Sequence, residues 1–413
     1  MGIALSACRF CGTPLVHTVV DLGISPLCES FLPADRLDQP EPVYPLRLFV
    51  CDRCFLVQLP AHVSGEEIFT EYAYFSSYSD SWLRHAERYT ESMIDRLGLD
   101  RSSQVVEVAS NDGYLLQYFI RRGIPSLGIE PAANVARAAL EKGVPTQVEF
   151  FGRESAARLV DRGIGADLLV GNNVLAQVPD LNDFVAGLAL LLRQGGTLTL
   201  EFPHLLHLVE ENQFDTIYHE HYSYISLTTA ERILAAHGLT VFDVDELPTH
   251  GGSLRLYARH SAAADPPVTG RVDELRSREA SAGLNRLEYY ASFARRVTET
   301  RSRLQAFLAG ARREGKRVAG YGAPGKGNTL LNYCGIGAEL LEYTVDRNPY
   351  KQGKFLPGSH IPIFPPERID ETRPDYLLIL PWNLQEEIMQ QMRRIRAWGG
   401  RFVIPIPSLR IRP

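Results

Sequence analysis

The sequence predicts an α/β protein in three parts, a small N-terminal unit followed by two larger domains. The length of 413 residues, divided by about 150 residues per domain, gives nearly three units. Two Cys-x-x-Cys pairs near the N-terminus set the first part apart. Beyond it, runs of strand length alternate with helical patterns, which is typical of a doubly wound parallel sheet. We predict the three parts to be residues 1–66, 67–262 and 263–413.

The composition is that of a folded protein. Hydrophobic residues make up 45% of the chain and charged residues 22%, which excludes extensive disorder and low complexity. The 43 basic and 49 acidic side chains leave a net charge of −6. Because binding to a nucleic-acid polymer requires a basic excess, we expect no such partner.

No segment of the sequence resembles a membrane span. The longest apolar run, residues 184–192, is much shorter than the roughly 20 residues required, and the N-terminus lacks a signal-peptide pattern. Six cysteines are too few for a disulfide scaffold and favour a reducing compartment. Cys28 and Cys334, which lie outside the pairs, are expected to be small buried side chains. We expect a cytoplasmic protein with no membrane partner; its oligomeric state is open, and a monomer is compatible with the sequence.

The N-terminal unit contains a predicted metal site. Its short β-like runs, such as residues 46–50, lie between Gly, Pro and Asp turns, with little helical periodicity. Four thiolates are enough to close a tetrahedral, structural Zn²⁺ site. The alternative is four ordinary buried or redox-active thiols. The predicted ligands are Cys8, Cys11, Cys51 and Cys54.

The middle domain begins its strand–helix alternation with a turn that indicates a nucleoside ligand. The predicted strands are residues 105–108, 126–130, 167–170 and 196–201, and helices are predicted over 115–121 and 134–141. Residues 105–113 read V-V-E-V-A-S-N-D-G, a strand and tight turn that bring backbone N–H groups close to a ligand. The turn lacks the G-x-G-x-x-G series, so a pyrophosphate is not indicated. This favours S-adenosylmethionine (SAM) over NAD, with a generic α/β turn as the alternative.

The candidate SAM contacts lie at the ends of these strands. Glu130, at the end of the second strand, is placed to accept hydrogen bonds from ribose hydroxyls. Asn172 and Asn173 follow the third strand, and Phe150 and Phe151 form an aromatic pair. The complete predicted set is Glu107, Ala109, Asn111, Gly113, Glu130, Phe150, Phe151, Asn172 and Asn173.

Residues 218–224, Y-H-E-H-Y-S-Y, are a candidate acid–base cluster. A neutral imidazole accepts a proton near pH 7, and a neighbouring carboxylate orients it or stabilises its charged form. The alternatives are a polar aromatic surface, a hydrogen-bonded core and a second metal site. Two further polar clusters, residues 249–255 and residues 72–78, are either parts of the site or loops only.

The C-terminal domain repeats the α/β pattern after a connector at residues 261–268 and a charged helical stretch at 269–312. Its predicted strands are residues 317–323, 341–346 and 376–380. A glycine-rich loop at 320–329 has Gly327 where a Walker A motif has Ser or Thr, so ATP hydrolysis is not expected. Lys326 in this loop, with Lys351 nearby, predicts binding of a nucleotide diphosphate. A structural glycine turn is the alternative.

The joint order of these motifs resembles the nucleotide-sugar C-methyltransferases of deoxysugar and antibiotic biosynthesis. The motifs are the two cysteine pairs, E-V-A-S-N-D-G, N-N-V-L-A-Q-V-P-D, I-Y-H-E-H-Y-S-Y, H-G-G-S-L-R, G-Y-G-A-P-G-K-G and K-Q-G-K-F-L-P-G. The resemblance covers essentially the whole chain. It implies a zinc-binding N-terminal domain, a Rossmann-like SAM domain and a C-terminal α/β domain.

The resemblance also implies a reaction and site residues. Family members methylate a carbon next to the ketone of a dTDP-4-keto-6-deoxy sugar, typically at C-3′ and in some members at C-5′. It implies that His221 is the general base, that Glu220 and Tyr218 are its companions, and that Tyr74 belongs to a segment covering the site. Gln177 stands where the family often has histidine, and an amide cannot carry a proton. The predicted substrate-binding residues are Gln177, His250, Lys326 and Lys351.

The residues support this chemistry independently of the resemblance. A ketone acidifies the adjacent C–H, a histidine removes the proton, a phenol or hydroxyl stabilises the enolate oxygen, and the carbanion attacks a sulfonium methyl group. An O- or N-methyltransferase acting on a sugar or another small metabolite is the first alternative. A non-catalytic module that binds zinc and a nucleotide is the alternative from another class.

Overall fold

The computed structural model describes residues 6–69 and 75–413, which form three sheets. The predicted α/β architecture is confirmed: a small antiparallel sheet precedes two larger, mainly parallel sheets. In the described part of the chain, no helix is long and apolar enough to cross a membrane. The boundaries after residues 66 and 262 stay predictions.

The N-terminal unit is built on the antiparallel sheet. Its elements are β1 (His17–Ser25), β2 (Tyr44–Val50), β3 (Val57–Gln58) and α1 (Gly65–Phe69). The side chains of β2 alternate between buried and more exposed positions, as in a strand with one face on a core. The fourth strand of this sheet is Ser223–Tyr224, which forms the end of the acid–base cluster. Backbone pairing therefore joins the N-terminal unit to that cluster.

The middle domain begins with a long helix and continues as a seven-stranded sheet. Its elements are α2 (Asp80–Leu97), β4 (Val105–Val108), α3 (Leu116–Arg121), β5 (Ser126–Ile129), α4 (Ala133–Glu141), β6 (Thr146–Gln147), α5 (Arg153–Asp161), β7 (Ala166–Asn172), α6 (Leu181–Leu191), β8 (Leu192–Pro203), α7 (Leu205–Glu210), β9 (Ser223–Tyr224), α8 (Leu227–Ala236), β10 (Leu239–Leu247) and β11 (Ser253–His260). The strand order is β10-β11-β8-β7-β4-β5-β6. The order reverses at β4, and ligands of such sheets bind beyond the carboxyl ends of the strands at that point.

Helix α2 has a sequence that explains both its ends and its packing. The Ser79 side chain accepts a hydrogen bond from the Trp82 N–H at its start, and Gly98 ends it in the left-handed conformation. Its buried residues include Trp82, Tyr89 and Met93, which pack with side chains of the middle sheet. The spacing of these residues places them on one helical face. One end of α2 thus lies against the edge of the sheet where ligands are expected.

The C-terminal domain has helices followed by a six-stranded sheet. Its elements are α9 (Gly270–Ala282), α10 (Leu287–Ala291), α11 (Phe293–Arg313), β12 (Val318–Tyr321), α12 (Gly325–Cys334), β13 (Thr344–Val345), β14 (Ile363–Phe364), α13 (Arg368–Thr372), β15 (Tyr376–Ile379), α14 (Gln385–Gln391), β16 (Arg401–Ile404) and β17 (Arg410–Arg412). The order is β14-β13-β12-β15-β16-β17, with only β17 antiparallel among the described strands of this sheet. The predicted glycine-rich loop, residues 320–329, covers the end of β12, the turn after it and the start of α12, so Lys326 lies on this helix.

Two predicted strands differ most in length from the observed ones. β8 covers Leu192–Pro203 rather than residues 196–201, because its pairing with β7 begins at Leu192 and its pairing with β11 continues to Pro203. The strand predicted at residues 341–346 is reduced to Thr344–Val345, because only these two residues pair with both β12 and β14.

Candidate active site

A cavity of about 1080 Å³ lies where all three parts of the chain meet. Its walls include the carboxyl ends of β4, β5 and β7, the acid–base cluster and the glycine-rich loop. Sites for single small molecules usually measure about 300–1000 Å³. The cavity is therefore large enough for a cofactor together with a second ligand.

Most of the sequence-predicted site residues line this cavity. Those that do are Ala109, Asn111, Glu130, Phe150, Phe151, Asn172, Asn173, Gln177, Tyr218, Glu220, His221, His250, Lys326 and Lys351. Among the described residues, the cavity wall does not include Glu107 or Gly113. Tyr74, and Tyr72 of the same cluster, lie outside the described residues.

Glu107 and Gly113 determine the shape of the turn that follows β4, residues 109–113, without lining the cavity. Glu107 lies on the central strand β4 with no exposed surface, and burial raises the pKa of its carboxyl well above the usual range. Gly113 has φ +74°, and a Cβ there would lie 2.8 Å from the Val144 side chain. We predicted that both residues contact the cofactor. The structure places neither of them in the cavity wall.

Glu130 holds the turn in place. Its two carboxylate oxygens accept hydrogen bonds from the backbone N–H of Asn111, at 3.0 Å, and of Ala132, at 2.9 Å. Burial raises the pKa of Glu130 to about 7. Ala109 and Asn111 both adopt positive φ, which bends the chain sharply beyond β4. The carboxylate at the end of β5 thus fixes the loop at the end of β4.

The cavity wall near this turn fits a cofactor with hydrogen-bond donors. The side-chain oxygens of Asn172 and Asn173, at the end of β7, are buried and have no hydrogen-bond partner among the described residues. Buried polar atoms are normally paired, so these oxygens are suited to donors on a ligand. The amino and hydroxyl groups of SAM are such donors. Phe150 and Phe151 add apolar side chains to the same cavity wall.

His221 is oriented as a neutral base. Its Nδ1 lies 3.2 Å from the carbonyl oxygen of Thr216, so Nδ1 carries the hydrogen and donates it, which leaves Nε2 as the basic nitrogen. Burial lowers the pKa of His221 to about 3. The ring of Tyr218 lies 4.2 Å from that of His221, centroid to centroid. At neutral pH the imidazole is therefore uncharged, with a lone pair on Nε2.

The second histidine of the cluster points elsewhere. His219 Nε2 lies 3.2 Å from the Pro45 carbonyl oxygen, and burial lowers the pKa of this histidine. His219 is absent from the wall of the cavity formed by the described residues. Only one of the two imidazoles that the sequence brings together thus reaches the site.

Glu220 contacts a residue of the N-terminal unit. The Cys28 thiol donates a hydrogen bond to Glu220 Oε1 at 3.4 Å. Burial raises the pKa of Cys28, so the thiol keeps its proton. Asn328 of α12 donates a hydrogen bond to the Cys28 carbonyl oxygen at 2.5 Å. Cys28 was predicted to be a small buried side chain, and the structure confirms this. Its hydrogen bonds also connect the N-terminal unit to the acid–base cluster and to the C-terminal domain.

The loop between β10 and β11 places His250 in the cavity. His250 has φ 54° and ψ 19°, in the left-handed region, between Thr249 and two glycines of positive φ. Its Nε2 lies 3.3 Å from the Asn173 side-chain nitrogen. Burial lowers the pKa of His250 to about 4. A second neutral imidazole therefore lies in the same cavity as His221.

The two predicted substrate lysines differ in their surroundings. Lys351 lies 3.0 Å from a carboxylate oxygen of Glu29. Lys326 donates to Asn383 at 2.9 Å and lies 4.6 Å above the Trp382 ring, and among the described residues it has no ion pair. Burial lowers the pKa of Lys326. Lys326 is thus the more available of the two charges for an anion.

Helix α2 contributes wall residues that sequence reasoning missed. Trp82 and His85 line the cavity, and His85 Nε2 lies 3.0 Å from Glu201 Oε2. Arg255 donates to the same oxygen at 2.5 Å. Burial raises the pKa of Glu201, but His85 and Arg255 outweigh it and hold this pKa at about 2. The apolar stripe of α2 marked a packed face, but nothing in its sequence indicated that this face covers a cavity.

The four predicted zinc ligands converge in the N-terminal unit. Their sulfur atoms lie within 4.8 Å of one another, with 3.5 Å between Cys8 and Cys54 and between Cys11 and Cys51. Sulfurs bound tetrahedrally to Zn²⁺ at about 2.3 Å lie roughly 3.8 Å apart, so the arrangement fits the ion. Gln58 donates a hydrogen bond to the Cys8 sulfur at 3.1 Å, which supports a thiolate there.

Comparison with known proteins agrees with this architecture. Three family models match successive parts of the chain: a "Putative zinc binding domain" over residues 8–69, a "Methyltransferase domain" over 82–244 and a "C-methyltransferase C-terminal domain" over 248–407. The C-methyltransferase NovU of Streptomyces niveus is 37% identical over 407 residues, which cover 98% of this chain and 97% of that protein.

Solved structures resemble the chain only in part. Magnesium protoporphyrin IX methyltransferase from Synechocystis, with bound SAH, is 15% identical, covers 43% of this chain and 83% of its own, and has a TM-score of 0.35. A SAM-dependent methyltransferase from Clostridium acetobutylicum is 10% identical over 44% of this chain and 92% of its own, with a TM-score of 0.36. These scores are too low to support an argument. The near full-length relative and the three models show that the chain belongs to the C-methyltransferase family, as a SAM-dependent methyltransferase with an N-terminal zinc-binding domain.

Proposed function

We propose that the enzyme methylates a carbon next to the ketone of a nucleotide-linked 4-keto-6-deoxy sugar, with a dTDP sugar as the expected substrate, in deoxysugar and antibiotic biosynthesis. The observation that carries the proposal is the orientation of His221. Its Nδ1–H is held by the Thr216 carbonyl, and its ring lines a cavity that also contains the cofactor turn. A fixed, neutral imidazole beside a methyl-donor site suits proton removal from carbon.

In the proposed reaction His221 Nε2 takes the proton from the carbon next to the ketone. The C–H electron pair becomes the enolate double bond, and the carbonyl oxygen takes the negative charge. The hydrogen bond from Nδ1 to Thr216 strengthens when the ring becomes charged. SAM supplies an electrophilic methyl group on a sulfonium. The enolate carbon forms a bond to this methyl group, and the C–S electron pair returns to sulfur.

Tyr218 is the proposed donor to the enolate oxygen. Burial raises the pKa of its phenol well above the usual range, so the hydroxyl keeps its hydrogen at neutral pH. Its ring lies 4.2 Å from that of His221, so both side chains reach the same part of the cavity. A hydrogen bond that strengthens as negative charge develops on oxygen lowers the reaction barrier.

Lys326 is the proposed anchor for the substrate diphosphate. It lies on the wall contributed by the C-terminal domain, and its ammonium group has a neutral partner, Asn383, rather than a carboxylate. Arg347 lines the same wall. Lys351, by contrast, pairs with Glu29 and donates to the Ala323 carbonyl at 2.9 Å. We therefore assign Lys351 to holding the loop and Lys326 to contacting the anion.

Deuterium exchange at the substrate carbon tests the proposal. The purified enzyme is incubated in D₂O with a dTDP-4-keto-6-deoxy sugar, with and without SAM, and mass spectrometry follows deuterium uptake and methylation. His221→Asn keeps a donor for the Thr216 carbonyl but lacks the base, so it is expected to lose both exchange and methyl transfer. His219→Gln, two residues away and outside the cavity wall, is the matched control.

The possible outcomes separate the candidate reactions. Exchange by the wild-type chain and by His219→Gln, but not by His221→Asn, is the expected pattern. A methylated product without exchange would favour O- or N-methylation. Normal exchange by His221→Asn would remove His221 from the role of base.

A further inference from the structure

A second cluster of metal-binding residue types lies in the middle domain, separate from the four cysteines. His204 directly precedes α7, His207 lies within α7, and Glu246 is near the end of β10. One ligand atom from each of these three residues lies within 4.8 Å of the other two. The cluster adjoins the loop that carries His250 into the cavity, because the His204 N–H donates to the Gly252 carbonyl at 3.0 Å.

His204 offers a buried nitrogen without a partner. Its Nε2 lies 2.7 Å from Glu279, and the side chains of both residues have at most 1% of their surface exposed. Glu279 also accepts hydrogen bonds from the backbone N–H of Leu227 and Thr228, so it acts as a carboxylate. The ring hydrogen of His204 therefore lies on Nε2. Its Nδ1 is unprotonated and carries a lone pair that can bind a metal ion. This Nδ1 is buried and has no hydrogen-bond partner among the described residues.

His207 has a similar arrangement. Its Nδ1 lies 3.3 Å from a carboxylate oxygen of Glu211, one turn later, which leaves Nε2 for a ligand. A Cβ at Gly252 would lie 2.8 Å from the His207 ring, so the glycine allows the imidazole to pack against the loop. A carboxylate on the second nitrogen of a metal-binding histidine orients the ring and raises its basicity. Both histidines of the cluster have such a carboxylate.

We propose that His204, His207 and Glu246 form a second Zn²⁺ site, distinct from the cysteine site and from the cavity. Two imidazoles and one carboxylate form a ligand set that zinc commonly accepts, with water in the fourth position. The ion joins the end of β10 to the start of α7. β10 leads into the loop that carries His250, and His204, just before α7, donates its N–H to Gly252 of that loop, so the ion stabilises the loop.

Two adjustments accompany binding. Zinc ligands about 2.0–2.1 Å from the ion are roughly 3.3 Å apart, so binding brings the three ligand atoms, which lie within 4.8 Å of one another, to that spacing. Glu246 pairs with Arg278, and it exchanges this partner for the ion. Arg278 is 52% exposed and can turn into solvent. Arg278 thus competes with the metal, and its removal is expected to strengthen binding.

Metal content per chain tests the proposal. The full-length protein is saturated with Zn²⁺, dialysed against metal-free buffer containing Mg²⁺, and measured by inductively coupled plasma mass spectrometry. The wild-type chain is expected to hold two zinc ions. His207→Ala and Glu246→Gln are expected to hold one, because each change removes one of the three proposed ligands and leaves too few to retain the ion through dialysis. His62→Ala, which removes an exposed histidine outside the cluster, is expected to hold two.

Arg278→Ala supplies a measurement that does not depend on losing a ligand. Titration with a zinc indicator is expected to show tighter binding at the second site than in the wild-type chain, with no change at the cysteine site. One zinc per wild-type chain, or a second zinc that His207→Ala and Glu246→Gln both retain, would overturn the proposal. Because this readout needs no substrate, it is independent of the outcome of the deuterium-exchange experiment.

Discussion

The Cys28 thiol lies 3.4 Å from a carboxylate oxygen of Glu220, a residue 192 positions further along the chain. One of these residues belongs to the zinc-binding unit and the other to the acid–base cluster. Since the thiol is buried and keeps its proton, it acts as a hydrogen-bond donor and not as a nucleophile. The N-terminal domain therefore forms part of the candidate active site.

Replacing Cys28 is expected to slow the reaction without abolishing substrate binding. Cys28→Ala removes a buried hydrogen bond to a carboxylate, which is worth about 1.5–3 kcal/mol, so kcat is expected to fall by roughly tenfold or more. KM and zinc content are expected to change little. Cys28→Ser restores a donor and is expected to recover part of the rate. Equal rates for the alanine variant and the wild-type enzyme would contradict this role.

His221 is expected to stay neutral across the usual assay range. Its pKa is lowered to about 3, so the base remains unprotonated as the pH falls from 8 to 5, where an ordinary histidine would become charged near 6.5. ¹⁵N NMR of histidine-labelled enzyme is expected to show one ring in the Nδ1–H form whose shifts do not change in this range. His221→Asn assigns the signal by removing it. Titration of that signal near pH 6.5 would contradict the prediction.

Lys326 and Lys351 are expected to respond differently to removal of their charge. Lys326→Met is expected to raise KM for the nucleotide sugar about tenfold or more and to leave stability nearly unchanged. Lys351→Met leaves Glu29 without its cation, and we expect a loss of about 3 kcal/mol in the free energy of unfolding. The double variant with Glu29→Gln should recover much of that stability. A similar KM effect for both lysines would contradict the assignment.

Gly113 is expected to be required for the shape of the cofactor turn. Gly113→Ala combines an unfavourable φ of +74° with a contact of 2.8 Å to Val144, and we expect a loss of about 2 kcal/mol with weaker SAM binding. Gly143→Ala is the matched control, because Gly143 has φ +80° but no atom lies within 4 Å of the position that its Cβ would take. The control isolates backbone strain, worth about 1 kcal/mol. Calorimetric titration with SAM and urea unfolding measure both effects.

Removing zinc from the cysteine site is expected to affect catalysis more than SAM binding. The four cysteines hold the N-terminal unit together, and metal binding of this kind is coupled to folding. The predicted SAM contacts lie in the middle domain, whereas Cys28 belongs to the N-terminal unit. Chelation should therefore abolish methyl transfer while calorimetry still detects SAM binding. Loss of both together would mean that the two domains unfold as one unit.

The sequence predicted local features of this protein well. The strand at residues 105–108 is found at those residues, and the four cysteines meet as their spacing indicated. Both predictions depend on neighbours in sequence or on a short motif. The cavity also brings together Glu130, His221 and Lys326, which the sequence showed as separate motifs.

Other features depended on contacts between distant residues. Glu107 was predicted to contact the cofactor, but β4 is a central strand covered on both faces, which leaves the Glu107 side chain fully buried and outside the cavity wall. The contact between Cys28 and Glu220, and the position of Trp82 over the cavity, require three parts of the chain to be assembled. No local pattern encodes these contacts, because each depends on how separate elements pack.

The pairing of β3 with β9 has a consequence for protein engineering. Gln58 of β3 donates to the sulfur of Cys8, and the same residue pairs with Ser223, two positions after His221. The four-cysteine zinc site and the proposed base, His221, are therefore connected through the short pair of strands β3 and β9. A chimera that exchanges the N-terminal unit between relatives should exchange residues 218–224 with it. The two segments belong to one sheet and therefore form a single structural unit.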